Sequence, residues 1–150
     1  MVKRIVIDAS LCDGCLNCSV ACMNAGRETP GSVYELDLED PENSSRNCIY
    51  QREGNYFPVF CRHCEEPDCL RACMSGALRK NAQTGLVEYN PERCSGCYMC
   101  VMNCRFGHPK PDWRNRLVIR CTFCQDTKEG EPQCVKACPK KAIMVREVEK

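Results

Sequence analysis

Apolar positions along this chain gather in short, strand-like runs set between charged residues and turn formers. Lys3 to Asp8, Tyr56-Phe57-Pro58-Val59-Phe60, Gly85-Leu86-Val87-Glu88-Tyr89-Asn90, Arg116-Leu117-Val118-Ile119-Arg120 and Ala142 to Val148 all read this way. No stretch approaches the roughly 18–20 apolar residues needed to cross a bilayer, and the mean hydropathy is negative. Direct membrane spanning is thus not expected, and any membrane contact must come through a partner. The start, Met1-Val2-Lys3-Arg4-Ile5-Val6-Ile7-Asp8, turns acidic after two basic residues, unlike a secretory or twin-arginine signal, so the chain reads as cytoplasmic.

At 150 residues the chain has room for one ordinary domain or two very small ones. With four Phe, five Tyr and one Trp, two lobes would have too little apolar surface for two good cores. Something besides a core must hold it, and bound metal can, because ligands scattered in the unfolded chain are fixed only on folding. A net charge of +1 argues against a nucleic-acid binder, which usually carries a clearly basic footprint.

Cysteine is the one unusual feature: there are seventeen. A disulfide scaffold would call for secretion and an even count, and neither applies. Sixteen fall into four groups: Cys12, Cys15, Cys18, Cys22; Cys61, Cys64, Cys69, Cys73; Cys94, Cys97, Cys100, Cys104; and Cys121, Cys124, Cys134, Cys138. The first and third have the spacing C-x2-C-x2-C-x3-C, the bacterial ferredoxin run. The second has two extra residues before its third cysteine, and the fourth a longer loop, Thr127 to Pro132. One isolated C-x2-C pair would suggest a zinc knuckle, and a zinc-binding interaction module is the rival from another class. Zinc, however, has no use for three close cysteines plus a distant fourth repeated four times, so the expected cofactors are four [4Fe–4S] clusters.

Three thiolates of a tight loop occupy three corners of one cubane, and the fourth ligates the other cluster of a pair. The groups could pair adjacently or in a nested way. The compact Cys73 to Cys94 connection, against the long Cys22 to Cys61 insert, favours nesting, as do the strand-like runs that bracket groups two and three. Cluster one is then assigned to Cys12, Cys15, Cys18 and Cys138, and cluster four to Cys121, Cys124, Cys134 and Cys22. Cys61, Cys64, Cys69 and Cys104 would hold cluster two, and Cys94, Cys97, Cys100 and Cys73 cluster three. The fold class is α+β: two bacterial-type 2[4Fe–4S] ferredoxin-like domains with much irregular loop, an inner one (56–120) inserted in an outer, split one (1–55 and 121–150).

Over essentially its whole length the chain resembles the four-cluster ferredoxin-like subunits of dimethyl sulfoxide reductase, formate dehydrogenase and formate hydrogenlyase. Pro58-Val59-Phe60-Cys61-Arg62-His63-Cys64-Glu65-Glu66-Pro67-Asp68-Cys69, Ala72-Cys73-Met74-Ser75-Gly76-Ala77-Leu78 and Cys97-Tyr98-Met99-Cys100-Val101-Met102-Asn103-Cys104 are most similar to the ferredoxin-like electron-transfer protein of carbon monoxide dehydrogenase. Arg105 follows Cys104 where related proteins often carry proline. The resemblance implies a non-catalytic electron-transfer subunit. Carbon monoxide dehydrogenase would be its donor, and a flavin-dependent NAD(P)H oxidoreductase or a hydrogenase its acceptor. A formate dehydrogenase or another molybdenum or tungsten oxidoreductase is the alternative partner.

Outside the four groups, Cys48 is expected to be a buried free thiol packing as a small hydrophobe. His63, inside a ligand loop, could donate to a cluster sulfur, although a solvent-facing or packing role is the plainer expectation. His108 is expected at the surface, and Trp113 over the crossover between the two domains. Glu35, Asp37, Glu39, Asp40 and Glu42 form an acidic stretch, and Arg105, Lys110, Arg114, Arg116 and Arg120 a basic one. Either would serve as a solvated surface or a partner-facing rim.

Overall fold

The computed structural model describes residues 1–27, 29–40, 43–127 and 130–149. Glu42, in the acidic stretch, and part of the Thr127 to Pro132 loop lie outside them. The described strands form four two-stranded antiparallel ribbons. β1 (Val2–Ile7) pairs with β8 (Ile143–Val148), Val2 opposite Val148 and Ile7 opposite Ile143, so the two ends of the chain share a ribbon. β2 (Cys48–Arg52) and β3 (Asn55–Val59) form a hairpin. Its two-residue loop, Glu53-Gly54, has both φ values positive (52° and 79°), as the tightest hairpin turns require.

β4 (Leu78–Lys80) and β5 (Val87–Tyr89) are joined by a turn in which Asn81 Oδ1 accepts from the N–H groups of Gln83 and Thr84. β6 (Lys110–Asp112) and β7 (Leu117–Ile119) complete the set. The expected strands are present, and the two runs that bracket groups two and three lie in separate ribbons. Tyr56 to Phe60 and Arg116 to Arg120 each pair inside a local hairpin, because a two- to four-residue turn closes at far less entropic cost than a long loop.

Four helices, α1 (Asn17–Ala25), α2 (Asp68–Arg71), α3 (Met99–Met102) and α4 (Gln133–Lys136), each carry the third cysteine of a group in their first turn. The fourth cysteine follows one turn later, inside α1 and just beyond the other three helices. A step of four residues advances about 6 Å along a helix axis, so the third and fourth cysteines sit side by side along it rather than facing opposite ways. α1 packs on α4, and α2 on α3.

The apolar core is small: Ile5, Cys18, Phe60, Leu86, Phe123, Cys134 and Ile143. Polar contacts extend it. The insert between the first two cysteine groups reads as polar, yet Ser45 and Asn47 are buried. Ser19 Oγ donates to Asn47 Oδ1 at 2.7 Å, and Lys110 Nζ donates to the carbonyls of Ser45 and Asn47, both at 2.7 Å. Arg46 donates to Thr122 Oγ1 at 2.7 Å, and its carbonyl meets His108 Nε2.

Candidate metal centres

Three of the four expected ligand sets stand around cavities of similar size. Cys12, Cys15, Cys18 and Cys138 line one. Cys61, Cys64, Cys69 and Cys104 line another, and Cys22, Cys121, Cys124 and Cys134 a third. Each therefore gathers three cysteines of one group and the last cysteine of another. Of the remaining set, Cys73 and Cys94 stand near Cys100, as does Cys69 of the second set, and Cys97 is exposed. A larger and more open cleft contains no cysteine and is lined by polar residues such as Arg27, Arg46 and Asp126. Among the described residues no three His, Cys, Asp or Glu side chains close on a point for a single metal ion. The thiols surround volumes instead.

The loops owe their shape to a recurring left-handed residue immediately before the second cysteine. It is Gly14 and Gly96 in groups one and three, at φ 73° and 65°, and His63 and Phe123 in groups two and four, at φ 43° and 59°. Leu16 and Tyr98, just after the second cysteine, are left-handed too. Such reversals turn successive N–H groups to one side, making the concave nests that bind anions and iron–sulfur clusters. A side chain at Gly14 would meet the Tyr56 ring, and one at Gly96 the Arg116 backbone. Backbone donors already reach thiols: Arg46 N–H donates to Cys22 Sγ at 3.2 Å and Phe123 N–H to Cys121 Sγ at 3.3 Å.

Burial governs the thiols. It pushes Cys18 and Cys100 up to about 11 and Cys134 up to about 12, and it raises Cys121 well above its usual value. After burial, the thiolate that raises Cys121 most is Cys61, ahead of Cys22 and Cys134, so the second and fourth sets adjoin. Cys73 is the exception. Burial opposes its ionisation, but donors from Ser75, Leu78 and Ala77 together lower its pKa. Iron is the natural partner of such a set, because it binds the thiolate form that burial alone disfavours.

Several residues lie elsewhere than expected. His63 and His108 are both buried, each 2% exposed. Val87 N–H donates to His63 Nδ1 at 3.0 Å, and burial, then the Arg120 charge, lowers this imidazole to about 3. The basic stretch is not a single rim: Arg120 is buried, Lys110 is tied to the insert, and Arg105 pairs with Asp68 at 2.7 Å. Trp113 is exposed and packs against Tyr98 of the third loop, with centroids 4.5 Å apart, rather than over a crossover. Cys48 is half-buried on β2. Spacing could not reveal Arg120 as a neighbour of the Cys61 cavity, since 59 positions separate it from Cys61, whereas His108, shortly after Cys104, stands there by its place in the chain.

Comparison with known proteins agrees with this chemistry. Residues 52–148 match the 4Fe–4S dicluster domain family. The iron–sulfur subunit of the nitrate-inducible formate dehydrogenase of Escherichia coli K12 is 34% identical, over 92% of this chain and 52% of that protein. Protein NrfC of the same organism is 34% identical over 93% and 62%, and the B subunit of its anaerobic dimethyl sulfoxide reductase is 33% identical over 91% and 69%. The chain thus spans about half to two thirds of the length of these relatives. Among solved structures, one protein of the BamBC active-site complex of benzoyl coenzyme A reductase superposes with a TM-score of 0.53 at 26% identity, covering 99% of this chain and 82% of that one. The cofactors are [4Fe–4S] clusters, and the sequence has ligand groups for four. This protein belongs to the 4Fe–4S dicluster domain family, to which its cysteine groups and their cavities conform.

Proposed function

We propose that this chain is a single-electron relay with crossed, nested ligand sets. Clusters one and four belong to an outer ferredoxin-like unit, and clusters two and three to one inserted in it. Bound [4Fe–4S] clusters supply reversible one-electron steps. The observation that carries the reading is the lining of the three cavities, each mixing two cysteine groups in the nested pattern. Pairing of β1 with β8 and of α1 with α4 supports a split outer unit. The first boundary is better placed after Phe60 than after residue 55, because the β2–β3 hairpin contributes Ile49 and Pro58 to the Cys12 cavity.

Exposure supports a wire with two ends. Cys15 of the first set and Cys97 of the third are the two exposed ligand cysteines, beside exposed Leu11 and Leu16 in one case and Met99 and Met102 in the other. The second and fourth sets are more enclosed and adjoin through Cys61 and Cys121. The protein's own contribution is to hold these sites in order and to keep water from the inner two. No helix among the described residues is long and apolar enough to cross a membrane, and a cytoplasmic setting suits the abundance of free thiols.

For the donor, the segments around Cys61, Cys73 and Cys97 favour carbon monoxide dehydrogenase, with a flavin-dependent oxidoreductase or hydrogenase as acceptor. A formate dehydrogenase is the second reading, favoured by the identity with its iron–sulfur subunit. The test mixes anaerobic, oxidised protein with catalytic amounts of each dehydrogenase and its substrate. Bleaching near ~400 nm with CO supports the first donor, and bleaching with formate alone the second. Bleaching with neither, at any ionic strength, would remove both.

A further inference from the structure

Of the buried side-chain nitrogens left without a partner among the described residues, all but one belong to His63, His108 and Arg120. All three residues line the cavity of Cys61, Cys64, Cys69 and Cys104. Their chemistry differs. His108 Nε2 meets the Arg46 carbonyl and so carries the proton, which leaves its orphaned Nδ1 a lone pair with nothing to offer an anion. His63 is the reverse: its Nδ1 accepts from Val87, so its orphaned Nε2 carries the N–H. Arg120 is a permanent cation with orphaned Nε and Nη1, and its one partner is Cys61 Sγ, at 3.8 Å from Nη2.

Buried donors without acceptors are rare and costly, and a buried cation more so. A cluster with four thiolates is an anion whose sulfurs accept hydrogen bonds, and it would satisfy all three N–H groups at once. The other cavities lack this arrangement. Lys140, at the Cys12 set, is largely exposed and 3.9 Å from Asp13, and Arg46, at the Cys121 set, bonds Thr122 and lies 3.9 Å from Asp126. Water or a carboxylate moderates those charges, whereas Arg120 is 3% exposed.

We propose that His63 and Arg120 donate to the cluster held by Cys61, Cys64, Cys69 and Cys104 and raise its reduction potential. Reduction adds one electron and one negative charge, and a desolvated guanidinium and an N–H donor stabilise the reduced form more than the oxidised one. Arg120 also directly precedes Cys121, so this electron sink stands where the inner and outer pairs adjoin. The inference rests on the ligand sets proposed above.

The test is potentiometric titration of the anaerobic whole protein, followed by electron paramagnetic resonance. Cys69→Ser and Cys104→Ser identify the signal, and both must alter the same cluster. Arg120→Gln is expected to lower the potential of that cluster by at least tenfold in its reduction equilibrium, 59 mV for one electron, at unchanged iron and sulfide content. Arg120→Lys should recover most of the shift. His63→Leu should move the same signal downward by threefold or more, and His63→Gln, which keeps a donor, by less. An unmoved or raised potential in fully loaded Arg120→Gln, or a shift in a different cluster, overturns the inference. So does loss of the cluster from Arg120→Lys and His63→Leu alike, which would mean these residues build the site rather than tune it. By contrast, Cys69→Ser and Cys104→Ser striking different clusters would refute the ligand sets themselves.

Discussion

Phe123 allows the loop geometry and the core to be separated by experiment. Its side chain is 5% exposed, lies in the apolar core and meets His63 edge-on at 5.9 Å, while its backbone is left-handed at φ 59°. Phe123→Ala removes the ring and keeps a Cβ in that conformation, at a cost of about 3–5 kcal/mol, including the lost ring contact. Phe123→Gly removes the same ring but also releases a left-handed strain of roughly 1–2 kcal/mol. Elsewhere glycine is the worse replacement by about 0.5–1 kcal/mol, so the order should invert here and favour glycine by about 1 kcal/mol. Urea unfolding of the loaded, anaerobic protein, followed at ~400 nm, reads this out. With a slope of ~2 kcal/mol/M, the alanine variant should lose on the order of 2 M in midpoint and the glycine variant about 0.5 M less. A glycine variant less stable than the alanine variant would refute the nest geometry assigned to the fourth loop.

Cys73→Ser should damage the cluster of Cys94, Cys97 and Cys100 rather than that of Cys61, Cys64 and Cys69, and Cys22→Ser should strike the fourth-group cluster; spectroscopic assignment of the lost signal checks both. Lys110→Met, which strips the carbonyls of Ser45 and Asn47 of a charged donor, should cost about 1.5–3 kcal/mol in the same urea assay. Cluster retention against a chelator should weaken as pH falls. Cys18, Cys100 and Cys134, raised by burial to about 11, 11 and 12, are thiols in the unloaded chain at neutral pH. Each loses a proton when loaded, so acid favours the unloaded form throughout the range below about 11; equal retention at two well-separated neutral pH values would refute this.

The kind of cofactor was legible because cubane ligation demands cysteines at fixed steps, and such a demand is written directly in spacing. The strand segments were legible for the same reason: β-branched runs such as Ile5-Val6-Ile7 form strands here. Pairing partners of the short central strands were not, since hairpin closure at Glu53-Gly54 outweighs bracketing across the inner unit. Burial of polar residues was also hidden. Asn47, Lys110, His108 and Arg120 look like surface residues in sequence, yet each is held by partners or cavities formed over sixty or so positions of intervening chain. The left-handed residues at His63 and Phe123 carry no glycine to mark them.

The central claim is that the protein is a four-cluster relay, and metal analysis tests it most directly. Anaerobically purified protein should contain about sixteen iron and sixteen acid-labile sulfide per molecule, four of each per cubane, and all four clusters should accept an electron from a strong reductant. Zinc filling the cysteine sites, or iron and sulfide for only one pair of clusters in a fully folded preparation, would contradict it.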